Sequence, residues 1–117
     1  MILVTGGAGH IGNVLVRDLV AKGERVRVLA LPGEDVSALD GLDVEIVRGN
    51  ILNMAQLREA MTGVRLVFHL ASYVALTADQ YALMHKVNVE GTGNVISLCK
   101  ELGVERLVYT SSIHAFE

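Results

Sequence analysis

The residues with the plainest chemical meaning are glycines. Thr5-Gly6-Gly7-Ala8-Gly9-His10-Ile11-Gly12 carries two overlapping patterns: Gly6, Gly9 and Gly12 spell G-x-x-G-x-x-G, and Gly7, Gly9 and Gly12 satisfy G-x-G-x-x-G. The first glycine permits a sharp exit from a strand. The middle one lets backbone approach a pyrophosphate with no Cβ in the way, and the last lets a helix pack close to the strand. A helix starting here aims unbonded N–H groups and the positive end of its dipole at the phosphates. The chemistry implied is the cradling of a dinucleotide. The bland alternative is a tight turn without a ligand, for which this many glycines are an excess.

Other polar residues near this loop are fewer. In its slot the His10 side chain borders the phosphates and has no proton-transfer role. His69 sits late in an apolar run and reads as a satisfied core group. His69, His85 and His114 have no metal-like spacing with carboxylates, so no metal site is expected. The choice between NAD and NADP is read about 20 residues past the glycine loop, at the end of the next strand. That count lands on Leu31, neither acid nor base. Glu34 and Asp35 lie just beyond and would repel a 2′-phosphate if their loop folds back, so the reading leans to NAD.

These residues need elements to position them. The chain has 117 residues, 51% of them apolar and 4% aromatic, with a net charge of -3. The apolar mass is Val, Leu, Ile and Ala, as in a buried parallel sheet covered by helices. No Lys/Arg cluster suggests a nucleic-acid surface. Cys99 is the one cysteine, so neither a disulfide framework nor a cysteine metal site is expected, and a reducing compartment fits. No apolar run reaches transmembrane length, and Met1 leads straight into Ile2-Leu3-Val4, without the charged start of a signal peptide. A soluble cytoplasmic protein without membrane partners is expected.

Strands are expected at Ile2 to Thr5, Arg25 to Leu31, Val44 to Val47, Val64 to Leu70 and Val104 to Thr110. A helix from His10 to Lys22 has an apolar stripe at Ile11, Val14, Leu15 and Leu19. Asp35 is placed to cap a short turn through Leu39. Asn53 and Gln56 form a capping-box pattern ahead of Leu57, Ala60 and Met61. The longest helix should run from about Ala78 to Leu102, with Met84, Val87, Gly91, Val95, Leu98 and Leu102 on one face. Gly91 and Gly93 each lower its propensity by about 1 kcal/mol relative to Ala, and close packing on the sheet is the expected reason. Alternating strands and helices imply an α/β domain with a doubly wound parallel sheet, order 3-2-1-4-5.

Five motifs in order then resemble one family, the extended short-chain dehydrogenase/reductases, also called NAD-dependent epimerase/dehydratases. TGGAGHIG resembles their T-G-x-x-G-x-x-G. Arg48-Gly49-Asn50-Ile51 resembles the strand-three G-D-[LIV], and Val67-Phe68-His69-Leu70-Ala71-Ser72 resembles V-F-H-L-A-A. Asn88-Val89-Glu90-Gly91-Thr92-Gly93-Asn94 resembles N-V-x-G-T-x-N, and Val108-Tyr109-Thr110-Ser111-Ser112 resembles V-[YF]-[ST]-S-S. The stretch VRVLALPGEDVSAL followed by DVEIVRGN is similar to the dihydroflavonol-reductase-like branch, although Leu31 stands where that branch often carries arginine.

The resemblance implies a Rossmann-type domain over residues 1–117 that binds NAD or NADP. Gly6, Gly9, His10, Ile11 and Gly12 would meet the pyrophosphate, with Leu31 at the ribose edge. Asn50 would accept from the adenine amino group in place of the family's aspartate, and Ile51 would pack on the adenine ring. Leu70, Ala71 and Ser72 would line the ribose and nicotinamide. Ser112 would be catalytic, its hydroxyl bonded to the substrate oxygen that gains or loses a proton. The parent reaction would be hydride transfer at a carbonyl/hydroxyl carbon of a reductase-type or nucleotide-sugar substrate, in a homo-oligomer. A non-catalytic dinucleotide-binding sensor is the alternative.

The family's acid/base pair, Tyr-x-x-x-Lys, does not occur: Thr77, His85 and Ile113 stand four places after Tyr73, Tyr81 and Tyr109. In the family this pair lies beyond strand five, as do the final strands and the substrate domain. The expectation is therefore an N-terminal piece of a longer enzyme. These 117 residues should show no NAD(P)H turnover on any carbonyl substrate, and a spectrophotometric rate above background would overturn that expectation.

Overall fold

The computed structural model describes residues 1–70 and 81–109, leaving out the side chains of Tyr81, Leu83 and Met84. The first half runs through β1 (Ile2–Thr5), α1 (His10–Ala21), β2 (Val26–Ala30), a 3-10 turn (Ser37–Leu39) and β3 (Glu45–Arg48). Then come α2 (Met54–Met61), β4 (Leu66–His69), α3 (Tyr81–Lys86), a π-turn (Val87–Gly91), α4 (Thr92–Glu101) and β5 (Arg106–Tyr109). The five strands form one parallel sheet in the order β3-β2-β1-β4-β5. This is the expected doubly wound arrangement. Thr5 pairs with Leu29 on one side and His69 on the other, so three carboxyl ends meet along one edge of the sheet.

The central strands are apolar except at Thr5, Arg27 and His69, because both faces are covered. Ile2, Val4, Val26 and Val28 face α1 and the 3-10 turn, meeting Val16 and Leu39. Leu3, Leu29 and Val67 face the other way, into Leu57, Met61, Val95 and Leu98 of α2 and α4. Arg27, on that second face, donates from one guanidinium nitrogen to the Ala60 and Thr62 carbonyls at 2.6 and 2.8 Å and from Nε to Glu45 at 3.0 Å. It thereby satisfies carbonyls at the end of α2 that have no partner within the helix.

Three sequence expectations need correction. The stripe on α1 is rotated: Gly12 and Val16 are the buried residues, whereas Ile11 and Val14 are 74% and 65% exposed. Close approach at Gly12 fixes the helix rotation, and the apolar count alone cannot see it. The long helix is not uniformly α, because the π-turn inserts an extra residue per turn ahead of Thr92. Gly91 is indeed a packing glycine, since a Cβ there would overlap Ile51 Cδ1 and stand 2.7 Å from Cγ1. Gly93 is not, since a Cβ there would meet nothing within 4 Å.

The capping box at α2 is modified as well. Asn53 Oδ1 accepts from Gln56 N at 3.1 Å, as expected. Gln56 Oε1 reaches past the cap to accept from Asn50 N at 2.9 Å. Asn53 N is already bonded to the Asn50 carbonyl, which leaves the Asn50 amide as the donor in need. The swap ties the cap to the end of β3.

Gly91→Ala should cost about 2 kcal/mol, the overpacking of one methyl into a filled contact. Ile51→Val removes the overlapped Cδ1 and should recover a measurable part of that loss. Urea denaturation of the two single variants and the double variant reads the coupling; strict additivity would count against the contact.

Candidate dinucleotide-binding site

The site begins where β1 ends. Gly6 turns the chain with φ of +76°, a conformation only glycine adopts without strain. Gly9 N donates back to the Gly6 carbonyl at 3.1 Å, closing the turn. A Cβ at Gly12 would overlap that same Gly6 carbonyl and stand 2.8 Å from Gly7 Cα, so the first turn of α1 lies directly on the loop backbone. Gly7 has a separate reason: its Cβ would come within 2.8 Å of Val28 Cγ1 in β2. Both glycine patterns are thus in use, one for the turn and one for the sheet.

The start of α1 is chemically open. Its N-cap, Gly9, makes no side-chain cap bond, and its first turn holds no acidic residue. Asn13 turns its amide to the Gly9 and His10 carbonyls at 2.8 and 2.9 Å, so among the described residues no side chain covers the leading N–H groups. By contrast α2 is capped by Asn53. An uncapped terminus over a turn without Cβ atoms is a fit for a pyrophosphate, which takes N–H donors and positive potential together. Exposed Gly9, His10 and Ile11 border this space, and Gly12 lies buried beneath it.

The rim at the end of β2 is built by a short turn. Leu31 is 47% exposed. Its N–H donates to Glu34 Oε1 at 3.0 Å, and its carbonyl accepts from Glu34 N at 3.0 Å. Arg48, at the end of β3, donates to the Leu31 and Glu34 carbonyls at 2.9 and 2.7 Å. Asp35 turns away: Oδ1 accepts from Ser37 N at 2.9 Å, and this bond holds its carboxyl below the usual range.

Asn50 and Ile51, expected at the adenine end, are held differently from that expectation. Asn50 Oδ1 accepts from Leu52 N at 2.9 Å, an Asx turn, so an adenine amino group would share an oxygen already in use. The Ile51 side chain is a correction: it is 6% exposed and packs under Gly91 in the core. Asn94 Nδ2 donates to the Ile51 carbonyl at 2.9 Å and pins this loop to α4.

At the end of β4, His69 is 1% exposed and fully bonded. Leu70 N donates to Thr5 Oγ1 at 3.1 Å, and Thr5 Oγ1 shares a hydrogen bond with His69 Nδ1 at 2.7 Å. His69 Nε2 is hydrogen-bonded with Thr92 Oγ1 at 3.0 Å. The ring also stacks on Tyr109, centroids 5.7 Å apart. It is a satisfied core histidine, as expected, held neutral by burial with a pKa lowered to about 4.

The carboxyl edge therefore brings together the Gly6–Gly12 loop, Leu31, Asn50 and Leu70. Ala71, Ser72 and Ser112 lie outside the described residues, as do Tyr73 and His114. Among the described residues no group of three His, Cys, Asp or Glu can hold a metal ion. A cavity of about 330 Å³ lined by Met1, Arg25, Asp43 and Glu45 opens at the amino ends of the strands, opposite the glycine loop. Sequence reasoning missed the positioning roles of Thr5, Arg48, Thr92 and Asn94. Thr92 and Asn94 stood inside the N-V-E-G-T-G-N run, and their threonine and asparagine character was the available signal.

Residues 3–117 match the 3-beta hydroxysteroid dehydrogenase/isomerase family. The chain is 41% identical over 113 residues to sterol demethylase protein B of Methylococcus capsulatus, covering 97% of this chain and 34% of that one. A short-chain dehydrogenase/reductase superfamily protein from Agrobacterium tumefaciens with bound NAD superposes with a TM-score of 0.85 at 35% identity, over 96% of this chain and 32% of that one. Thermus thermophilus UDP-glucose 4-epimerase in complex with NAD gives a TM-score of 0.84 at 31% identity, over 95% and 37%. The chain spans about a third of the length of each.

The buried histidine makes stability depend on pH. Its folded pKa of about 4 lies below the usual 6.5, so the unfolded chain takes up the proton first as pH falls. The protein should keep full stability above about pH 6.5 and lose on the order of 3 kcal/mol by about pH 4. Urea midpoints between about pH 7 and pH 5, above the carboxylate range, should fall for the parent chain. In His69→Asn that slope should be gone; an equal slope in the variant would refute the assignment.

Proposed function

Because this chain belongs to the 3-beta hydroxysteroid dehydrogenase/isomerase family, we propose that it is the NAD(P)-binding part of an oxidoreductase or epimerase acting on a carbonyl/hydroxyl carbon. The single observation that carries the reading is the uncapped start of α1 lying on the Gly6–Gly12 turn. His10 and Ile11 would present backbone N–H groups to the pyrophosphate, Gly9, its own N–H bonded to the Gly6 carbonyl, would border it without a Cβ, and Gly6 and Gly12 keep the turn tight enough for that approach. The similar structures from Agrobacterium and Thermus both hold NAD, which supports the same ligand here.

The bound dinucleotide would supply hydride acceptance and donation at its nicotinamide. This chain's part is binding and alignment. Leu31 would border the adenosine ribose, Asn50 would offer its second lone pair at the adenine end, and Leu70, Ala71 and Ser72 would line the ribose and nicotinamide. Ser112 would bond the substrate oxygen whose proton moves. The neutral His69 takes no proton at physiological pH and holds the ends of β1 and β4 in register. A soluble location and self-association of the parent protein belong to the same proposal.

Titration with NADH, followed by its fluorescence, tests this. The parent chain should bind saturably. Gly9→Val should weaken binding at least about tenfold with an unchanged far-UV spectrum, because its side chain enters the phosphate space. A parent chain that binds neither NADH nor ADP-ribose would overturn the proposal.

A further inference from the structure

The end of β2 carries a device that bears on which dinucleotide fits. A ribose-reading acid usually stands at the tip of this strand, and here the tip is Leu31. Leu31-Pro32-Gly33-Glu34 is a type II turn: proline sets its second position, Gly33 has φ of +82°, and Glu34 N donates to the Leu31 carbonyl. The turn swings Glu34 back over the strand end, where Oε1 accepts from Leu31 N at 3.0 Å. A carboxylate delivered from three residues downstream therefore occupies the place left by Leu31.

Arg48 braces this turn at both ends, donating to the Leu31 and Glu34 carbonyls at 2.9 and 2.7 Å. It makes no ion pair with the Glu34 carboxylate among the described residues, so the charge there is not paired off. The second acid of the loop is not a competitor, because Asp35 Oδ1 accepts from Ser37 N at 2.9 Å.

We propose that Glu34 reads the adenosine ribose of NAD and excludes a 2′-phosphate, with Arg48 as the positioning residue that holds it there. The inference rests on the dinucleotide site proposed above. Oε1 is taken by Leu31 N, and Oε2 is left to accept from a ribose hydroxyl. A 2′-phosphate brings about two negative charges and no proton to donate, so the same carboxylate repels it.

Binding of NADH and NADPH to the parent chain, Glu34→Gln and Arg48→Met tests this. The glutamine keeps the shape and the acceptor for Leu31 N and removes only the charge. The parent should favour NADH by about tenfold or more, and Glu34→Gln should erase most of that ratio, chiefly by tightening NADPH. The parent's preference should shrink as salt rises, and the variant's should not. Arg48→Met should weaken NADH without selectively harming NADPH. A parent that prefers NADPH, a selective loss of NADPH in Arg48→Met, or an unchanged ratio in Glu34→Gln overturns the inference while the dinucleotide site stands. Failure to bind either nucleotide overturns both.

Discussion

Everything at the carboxyl edge of this sheet depends on one backbone contact, the seating of Gly12 on the Gly6 carbonyl. It fixes how far α1 stands from β1 and how the helix is rotated. That rotation turns Val16 into the sheet and Ile11 and Val14 outward. The direction of the leading N–H groups follows from the same contact. No side chain can substitute for it, because the neighbouring atoms are main chain and cannot swing aside.

A second constraint runs through His69. The sheet's central seam joins segments far apart in sequence, and Thr5, His69 and Thr92 stitch β1, β4 and α4 with bonds of 2.7 and 3.0 Å. A polar group this deep is stable only when every bond is made. The neutral ring meets that condition by bonding through both nitrogens. The π-turn brings Thr92 to the histidine, and Gly91 lets the turn press onto Ile51. Helix irregularity and buried imidazole thus form one arrangement.

Much of this was legible in the sequence. Apolar runs marked all five strands, the first two closed by glycine or proline, and their alternation with helices led to the order 3-2-1-4-5. The glycine spacing located the phosphate turn. Other features were not legible, for physical reasons. The face of α1 is set by a contact that no periodicity encodes, because its decisive residue has no side chain. Ile51 looked available to a ligand because its partner, Gly91, lies 40 positions away. Asn50 was read by what its amide could accept, and the structure adds what it already accepts. Leu31 seemed to leave the strand tip without polarity, since the return of Glu34 depends on a Pro-Gly turn and on an arginine from another strand.

The strand order also carries a schedule. β1 emerges from the ribosome before the other four strands and ends in the middle of the sheet, with β2 on one side and β4 on the other. The β1-β2-β3 half can pair once Arg48 is clear, and the phosphate turn is then complete in its own chain. The inner edge of β1 must wait for Leu66–His69. During synthesis this sheet therefore has a period with its most apolar strand open along one side. Its histidine rivet can close only from the later half of the polypeptide.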